Sequence, residues 1–235
     1  MRLASLETGV APEPLASAYG RYTAMFGRLL SGVEPKLKVD AYPVFENAAH
    51  PTLKDFDALL ITGSPLAVYE DHDWIAASEE LIRETAAASK PIVGICFGHQ
   101  LMAQAFGGRV AKSTRGWGVG VHSYDVVAAK PWMGDQPPEK IRCAVSHQDQ
   151  VVKAPPGAQI VAGSDFCPNG ALEYAQGRSL SFQMHPEFEH TFAADLLAVR
   201  RDRIPEQIAA PAFKSLEGDS DRALLARWIM NFIKA

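Results

Sequence analysis

Several protein classes are excluded by what the 235-residue sequence lacks. It contains no apolar run long enough to cross a bilayer, and residues 1–9 lack the apolar core of a secretory signal. The net charge is -4 and the isoelectric point is about 6.0, which leaves no basic surface for phosphate backbones. We therefore expect a cytoplasmic protein that binds neither membranes nor nucleic acid.

Cysteine, histidine and glycine patterns typical of bound groups are also missing. The three cysteines, Cys96, Cys143 and Cys167, include no CxxC spacing, which disfavours both a disulfide framework and a cysteine-based zinc site. The seven histidines show neither HxH nor HxxxH spacing, and no GxxxxGK[ST] phosphate-binding loop occurs. The sequence therefore predicts free thiols, with no metal, ATP or other cofactor.

What is present is the pattern of one α/β domain. With 47% hydrophobic and 21% charged residues the composition is ordinary for a globular protein. It does not change along the chain in a way that would indicate two domains, so we expect residues 1–235 to form a single domain with a helical extension from about 190 to 235. Strand patterns occupy 2–6, 37–44, 56–62, 92–95, 119–127, 141–145, 159–162, 171–174 and 179–183. Helical patterns occupy 19–30, 73–89 with Asp73 as N-cap, 99–106, 191–204 and 221–233, the last two separated by a loop. From 108 to 181 we expect an antiparallel extension of the sheet.

The segment GICFGHQ, residues 94–100, joins a short buried strand to a helix-compatible stretch. Cys96 lies at the turn, where Gly94 and Gly98 leave room for a sharp, strained backbone. At a helix N-terminus, unpaired N–H groups and the helix dipole favour the thiolate, and the amide of Phe97 would point to where an oxyanion forms. A lone cysteine is more often a small buried hydrophobe. The flanking glycines instead favour a nucleophile elbow.

A second turn follows the buried strand FDALLIT, at Gly63-Ser64-Pro65. The carboxyl ends of parallel strands meet at one edge of a sheet, so this turn should lie beside the elbow. The Gly63 amide would then be a second oxyanion donor. A tight turn into a loop, without a functional role, is the alternative.

Two further polar segments lie at strand ends. In MHPEFE, residues 184–189, two residues of extended chain place His185 and Glu187 on one face, so that the carboxylate reaches the imidazole. A histidine held by a carboxylate is the base that a cysteine nucleophile requires, although HPE alone is more often a surface turn. In SHQDQV, residues 146–151, His147 and Asp149 are either site residues or members of a solvated turn.

The motifs TGSP, GICFGHQ and MHPEFE, in this order, resemble those of the class I glutamine amidotransferases. The similarity is greatest to the glutaminase domain of GMP synthase and its stand-alone relatives. HQDQV and HPEF also resemble segments of the plant γ-glutamyl peptidases of the same superfamily. The resemblance covers residues 55–189 and implies a flavodoxin-like fold, with a central, mostly parallel sheet flanked by helices.

Carried over by position, the resemblance implies that Cys96 attacks the γ-carboxamide of glutamine, that His185 shuttles the proton and that Glu187 orients His185. The amides of Gly63 and Phe97 would form the oxyanion hole. The glutamyl part would be held by Gln100 and the backbone around Ser146, His147, Gln148 and Asp149. His99 would pack or hydrogen-bond behind the nucleophile.

The sequence also departs from its relatives at two places. GMP synthase carries an ATP-pyrophosphatase domain after its glutaminase, whereas this chain continues with helices only, so we do not expect it to make GMP alone. TGSP has one glycine where many members have two. Three alternatives to a glutaminase stay open: a γ-glutamyl peptidase with the same triad, a glutaminase that works only together with a synthetase partner, and a non-catalytic binding descendant.

Overall fold

Eleven strands and seven helices follow one another along the chain, and the computed structural model describes all 235 residues. The strands are β1 (Arg2–Leu6), β2 (Lys38–Tyr42), β3 (Ala58–Ile61), β4 (Ile92–Ile95), β5 (Arg109–Lys112), β6 (Gly118–Val126), β7 (Lys140–His147), β8 (Asp149–Lys153), β9 (Gln159–Gly163), β10 (Ala171–Tyr174) and β11 (Ser179–Phe182). The helices are α1 (Leu15–Tyr19), α2 (Tyr22–Ser31), α3 (Asp73–Ala87), α4 (Phe97–Ala105), α5 (His190–Val199), α6 (Glu206–Ser215) and α7 (Arg222–Lys234). None of these helices combines the length and apolar character that a bilayer span requires.

Nine strands form one sheet, in the order β2-β1-β3-β4-β11-β10-β9-β6-β7. The first five pair in parallel and the remaining neighbours pair antiparallel. This confirms the predicted α/β fold with a mostly parallel sheet flanked by helices, and its antiparallel extension. β5 and β8 form a separate antiparallel pair.

The parallel strands are buried because helices cover both faces of the sheet. In β3 and β4, Leu60 and Val93 pack in one apolar cluster with residues of α2 and α7. Leu59 and Ile92 point the other way, into a cluster with residues of α3 and α4. Alternate side chains of a strand face opposite sides, so a strand covered on both faces is apolar throughout. The unbroken apolar runs of the sequence follow from this arrangement.

Several predicted elements are corrected by the structure. The helix predicted over 19–30 begins only at Tyr22, as α2, and it is preceded by a short helix that was not predicted, α1. Gly20, with a φ of 83°, lies between the two helices. The N-cap of α3 is His72 rather than Asp73, which is the first helical residue. The helix predicted over 191–204 ends at Val199 and is followed by a 3-10 turn, Arg201–Arg203. β5 and β8 were not predicted.

The loop predicted between the terminal helices contains α6. Its interior proline, Pro211, weakens the local helical signal. Packing against β6 compensates, since Ala209 and Ala212 are buried there and the backbone of Ala212 lies against Gly120. A helix supported by such burial forms despite poor local propensity. In α7, Trp228, Ile229 and Phe232 belong to the core as predicted.

The elbow between β4 and α4 is held by contacts of backbone against backbone. A Cβ atom on Gly94 would lie 2.5 Å from the carbonyl oxygen of Gly98, and one on Gly98 would overlap the carbonyl of Ile61 at the end of β3. The amide of Gly98 donates to the carbonyl of Thr62 at 3.1 Å. The first turn of α4 is therefore clamped to two neighbouring strand ends, and only glycine fits at both positions.

We expect Gly98→Ala to lower the free energy of unfolding by about 1–3 kcal/mol, because the added methyl group would displace α4 from β3. Gly27→Ala is the matched control, since Gly27 lies inside α2 with no atom within 4 Å of an added Cβ. That substitution should stabilise the protein by about 0.5–1 kcal/mol. Urea unfolding of both variants measures the difference, and equal effects would contradict the proposed clamp.

Candidate active site

Cys96 occupies the strained turn that the sequence predicts. It follows β4 directly, forms the N-cap of α4, and has a φ of 53° and a ψ of -98°, a conformation that non-glycine residues rarely adopt. Its amide donates to the carbonyl of Phe182 at the end of β11 at 2.8 Å. The residue is 4% exposed, and it lines a cleft at the carboxyl edge of the sheet. The sulfur thus lies at a helix N-terminus with access to a cavity.

His185 and Glu187 lie just beyond the end of β11. The Nδ1–H group of His185 donates to Oε1 of Glu187 at 2.7 Å, and both side chains are buried. The imidazole stacks on Phe188 with 3.9 Å between ring centroids, and the amide of His185 donates to the carbonyl of Ala144 in β7. The pair is therefore fixed inside the protein, and a solvated surface turn is ruled out.

The charge state of His185 reflects competing effects. Burial alone would lower the pKa of His185. The nearby Glu187 and Cys96 raise it by more, so the pKa lies at about 10, above its ordinary value of 6.5. His185 and Cys96 line the same small cavity, of about 10 Å³. The surroundings therefore favour the imidazolium form of His185, in which a histidine can donate a proton.

The turn after β3 lies over both groups. A Cβ atom on Gly63 would approach Cε1 of His185 to 3.0 Å and Cβ of Cys96 to 3.9 Å. Thr8, which follows β1, fixes this turn from behind, because its hydroxyl lies 3.0 Å from the carbonyl of Thr62 and 3.1 Å from that of Gly63. The amides of Gly63 and Phe97 donate no hydrogen bond within the protein. Both are therefore free to bind an oxyanion.

The polar segment at the end of β7 forms a wall of the cleft. The cleft has a volume of about 360 Å³, and its lining includes Cys96, Gln100, Ser146, His147, Gln148 and Asp149. The side-chain amide of Gln100 donates to the carbonyl of Asp149 at 2.8 Å. The structure thus brings Gln100 and 146–149 together beside Cys96.

The alternative of a solvated turn fails for His147. This side chain is buried and joined through Nδ1 to the carbonyl of Asp149 at 3.1 Å, and burial lowers its pKa to about 3. The carboxylate of Asp149 is half-buried, which raises its pKa, and it accepts from the Tyr69 hydroxyl at 3.2 Å. This contact ties the 64–72 loop to the wall of the cleft.

His99 lies behind Cys96, where the sequence places it. It is fully buried, and its Nδ1 pairs with the Ser181 hydroxyl at 2.7 Å, which in turn pairs with the Tyr174 hydroxyl at 2.7 Å. Burial lowers the pKa of His99 to about 3, so the ring is neutral at ordinary pH. This chain of hydrogen bonds joins α4 to β11 and β10.

Sequence reasoning did not identify three residues of this site. The side-chain Nε2 of Gln183 donates to the Cys96 sulfur at 3.6 Å, and its Oε1 accepts from Gln100 at 3.2 Å. Arg200 donates from Nη1 to the Ser146 hydroxyl at 2.8 Å. Thr8 is the third. None belongs to a recognisable motif, although Gln183 could have been noted as a polar residue at the end of an apolar strand.

Comparisons with known proteins agree with this geometry. Residues 18–199 match the sequence model of the family described as glutamine amidotransferase class-I. The chain is 28% identical to gamma-glutamyl peptidase 4 of Arabidopsis thaliana over 225 residues, which are 92% of this chain and 88% of that protein. It is 34% identical to a glutamine-hydrolyzing GMP synthase subunit of Archaeoglobus fulgidus over 179 residues, 74% of this chain and 87% of that one.

Solved structures show the same fold. A glutamine amidotransferase from Thermotoga maritima superposes with a TM-score of 0.81 over 100% of this chain and 99% of its own, at 17% identity. A second structure, a glutamine amido transferase from Methylobacillus flagellatus, superposes with a TM-score of 0.73 and 20% identity over 99% of this chain and 91% of its own. At such identities the likeness concerns the fold alone.

We expect an alkylating reagent such as iodoacetamide to modify Cys96 far faster than the other two thiols near pH 7. Burial raises the pKa of Cys143, and it raises that of Cys167 to about 12, so neither is a reactive thiolate. Mass spectrometry of digests after short exposures gives the three rates. The Cys96→Ala protein is the control, and equal labelling of all three thiols would contradict the assignment.

We expect Glu187→Gln, which keeps the side-chain size and removes the charge, to lower the unfolding temperature most at pH 6.5. The folded-state pKa of His185, about 10, exceeds its ordinary value of 6.5. Its protonation therefore stabilises the fold fully below pH 6.5, and this contribution is lost as the pH rises toward 10. The difference from the parent protein should shrink over that interval.

Thermal unfolding followed by circular dichroism at several pH values provides the measurement. Glu206→Gln is a suitable control, because Glu206 forms only an exposed pair with Arg201. A Glu187→Gln effect that does not change between pH 6.5 and 10 would show that the two side chains are not electrostatically coupled.

Proposed function

Because the chain belongs to the class I glutamine amidotransferase family, we propose that it hydrolyses γ-glutamyl amide bonds, glutamine first among them, through a thioester on Cys96. The observation that carries this proposal is the strained cysteine at the N-terminus of α4, which shares a small cavity with His185, itself bonded to the buried Glu187. The reaction needs no metal or cofactor, because thiolate, proton donor and oxyanion donors all come from the protein.

In the first half of the reaction, the Cys96 thiolate attacks the γ-carbonyl carbon and forms a C–S bond. The electron pair of the C=O bond moves to oxygen, where the amides of Gly63 and Phe97 stabilise the charge. When the C–N bond breaks, the nitrogen takes a proton from the His185 imidazolium and leaves as ammonia or an amine. A γ-glutamyl thioester on Cys96 remains.

In the second half, water adds to the thioester. Neutral His185 accepts a proton from the water as its oxygen bonds to the carbonyl carbon, and the C–S bond then breaks. The new γ-carboxyl group gives its remaining proton to solvent and glutamate leaves, while Cys96 and His185 return to the thiolate and imidazolium forms. Glu187 accepts from Nδ1 throughout, so that Nε2 is the nitrogen that exchanges protons with substrate and water.

The glutamyl group common to all such substrates is proposed to bind along Gln100 and residues 146–149. Gln100 is already bonded to the backbone of Asp149, which fixes this wall before substrate arrives. Prior fixing of a binding wall lowers the entropy lost on binding.

Two relatives support alternative forms of this function. The similarity to gamma-glutamyl peptidase 4 over most of the chain favours γ-glutamyl peptides as substrates, with an amino acid or peptide as the leaving group. The similarity to the GMP synthase subunit favours a glutaminase that works with a synthetase partner. All three forms use the same bond, nucleophile and thioester.

We expect Cys96→Ala to reduce kcat at least about a thousandfold, because the thioester can no longer form. The assay measures ammonia released from L-glutamine and amine released from γ-glutamyl dipeptides. Cys167→Ala, which removes a buried thiol outside the cleft, is the matched control and should keep its activity. Full turnover by the Cys96→Ala protein would overturn the proposed function.

The pattern of substrates separates the alternative forms. Turnover of glutamine by the purified chain identifies a self-sufficient glutaminase. Turnover of γ-glutamyl dipeptides without turnover of glutamine identifies a peptidase. Activity that appears only after a synthetase protein is added identifies a partner-dependent glutaminase.

A further inference from the structure

Arg200, at the C-terminal end of α5, is a cation without an anionic partner beside the nucleophile. It is half-buried, and it lines both the main cleft and the small cavity that contains Cys96 and His185. Its one side-chain hydrogen bond goes from Nη1 to the Ser146 hydroxyl at 2.8 Å, which leaves Nε and Nη2 unused. A half-buried guanidinium with free donors is a ready site for a carboxylate.

The neighbouring arginines differ from Arg200 in this respect. Arg201 pairs with Glu206 at 2.8 Å, and Arg203 lies 4.0 Å from Asp202. Of the two carboxylates that line the cleft, Asp149 accepts from Tyr69 and Glu70 accepts from the amide of Ala67. No acidic side chain of the protein therefore neutralises Arg200.

Arg200 lines the same small cavity as His185, the group that protonates the leaving nitrogen in the proposed mechanism. Under the proposed mechanism His185 protonates the departing nitrogen, so the leaving group must lie on the His185 side of Cys96. The small cavity that contains Cys96 and His185 is also bounded by Tyr22, Ser146, Phe188, Leu196 and Arg200. At about 10 Å³ it holds no more than a water molecule, so the leaving group itself would extend into the open cleft, which Arg200 also lines. Arg200 is the one arginine or lysine among its lining residues, and its guanidinium also reaches the open cleft.

We infer that Arg200 binds the carboxylate of an amino acid or peptide leaving group. This inference rests on the proposed function and makes its substrate class specific: a γ-glutamyl compound whose leaving amine carries a free α-carboxylate. Glutamine, whose leaving group is ammonia, has no carboxylate on the leaving-group side of the cleaved bond. Lys112 and Arg203, which line the outer part of the cleft, add positive charge along the path of a longer anionic leaving group.

Binding to the inactive Cys96→Ala protein tests the site without turnover. The probes are γ-glutamylalanine and its C-terminal amide, which differ only in the charge under test. We expect calorimetry to show the acid binding at least about tenfold more tightly than the amide, as one charge-assisted pair provides. When Arg200→Gln is added to the Cys96→Ala protein, the affinities for the acid and the amide should become equal. When Arg201→Gln is added instead, the difference between them should remain.

Kinetics on the active protein supply the second readout. The ratio of kcat/KM for acid over amide should exceed about ten and fall toward one in Arg200→Gln, chiefly through KM. Equal affinities for the acid and the amide would overturn the inference. So would an Arg200→Gln protein whose affinities for the acid and for the amide fall by the same factor. Selective binding of the acid with no Cys96-dependent turnover would uphold the carboxylate site and refute the proposed hydrolysis instead.

Discussion

The close contact between the first turn of α4 and the ends of β3 and β4 is the constraint on which the rest of the site depends. Because Gly94 and Gly98 bring backbone against backbone, Cys96 is held with a positive φ and its sulfur at the edge of the sheet. The contact also sets the spacing between α4 and the turn at Gly63, and hence between the two free amides. Strain at one residue is maintained by packing at its neighbours.

The sheet divides the site between its two halves. Cys96, Gly63 and His185 follow the carboxyl ends of the parallel strands β4, β3 and β11, whereas the wall formed by 146–149 runs from the end of β7, in the antiparallel half, to the first residue of β8. Two bonds join the halves close to the nucleophile: the amide of His185 to the carbonyl of Ala144, and Gln100 to the carbonyl of Asp149. The base and the wall of the cleft are therefore positioned by the same strand.

The sequence reveals those features that depend on local chemistry. The apolar runs of β3, β4 and β11 end in GSP, GICFGHQ and MHPEFE, and parallel strands carry such ends to one edge. This is why Cys96 could be placed beside His185 and Glu187, although it lies far from them along the chain. Thr8 and Arg200 could not, because each reaches the site through tertiary packing and follows no motif, whereas Gln183, a polar residue at the end of the apolar strand β11, could have been noted. The helix α6 was missed for the same reason, since burial of Ala209 and Ala212 outweighs Pro211.

The neutral imidazoles around the cleft have a consequence for its electric field. His99 behind the nucleophile and His147 in the wall both have a pKa of about 3, so neither gains charge over the pH range in which proteins usually work. An ordinary histidine would become a cation near pH 6.5 and alter the potential at the sulfur. Two of the three imidazoles near Cys96 therefore act as fixed dipoles. The site presents a nearly constant electrostatic background, against which His185 alone changes its proton.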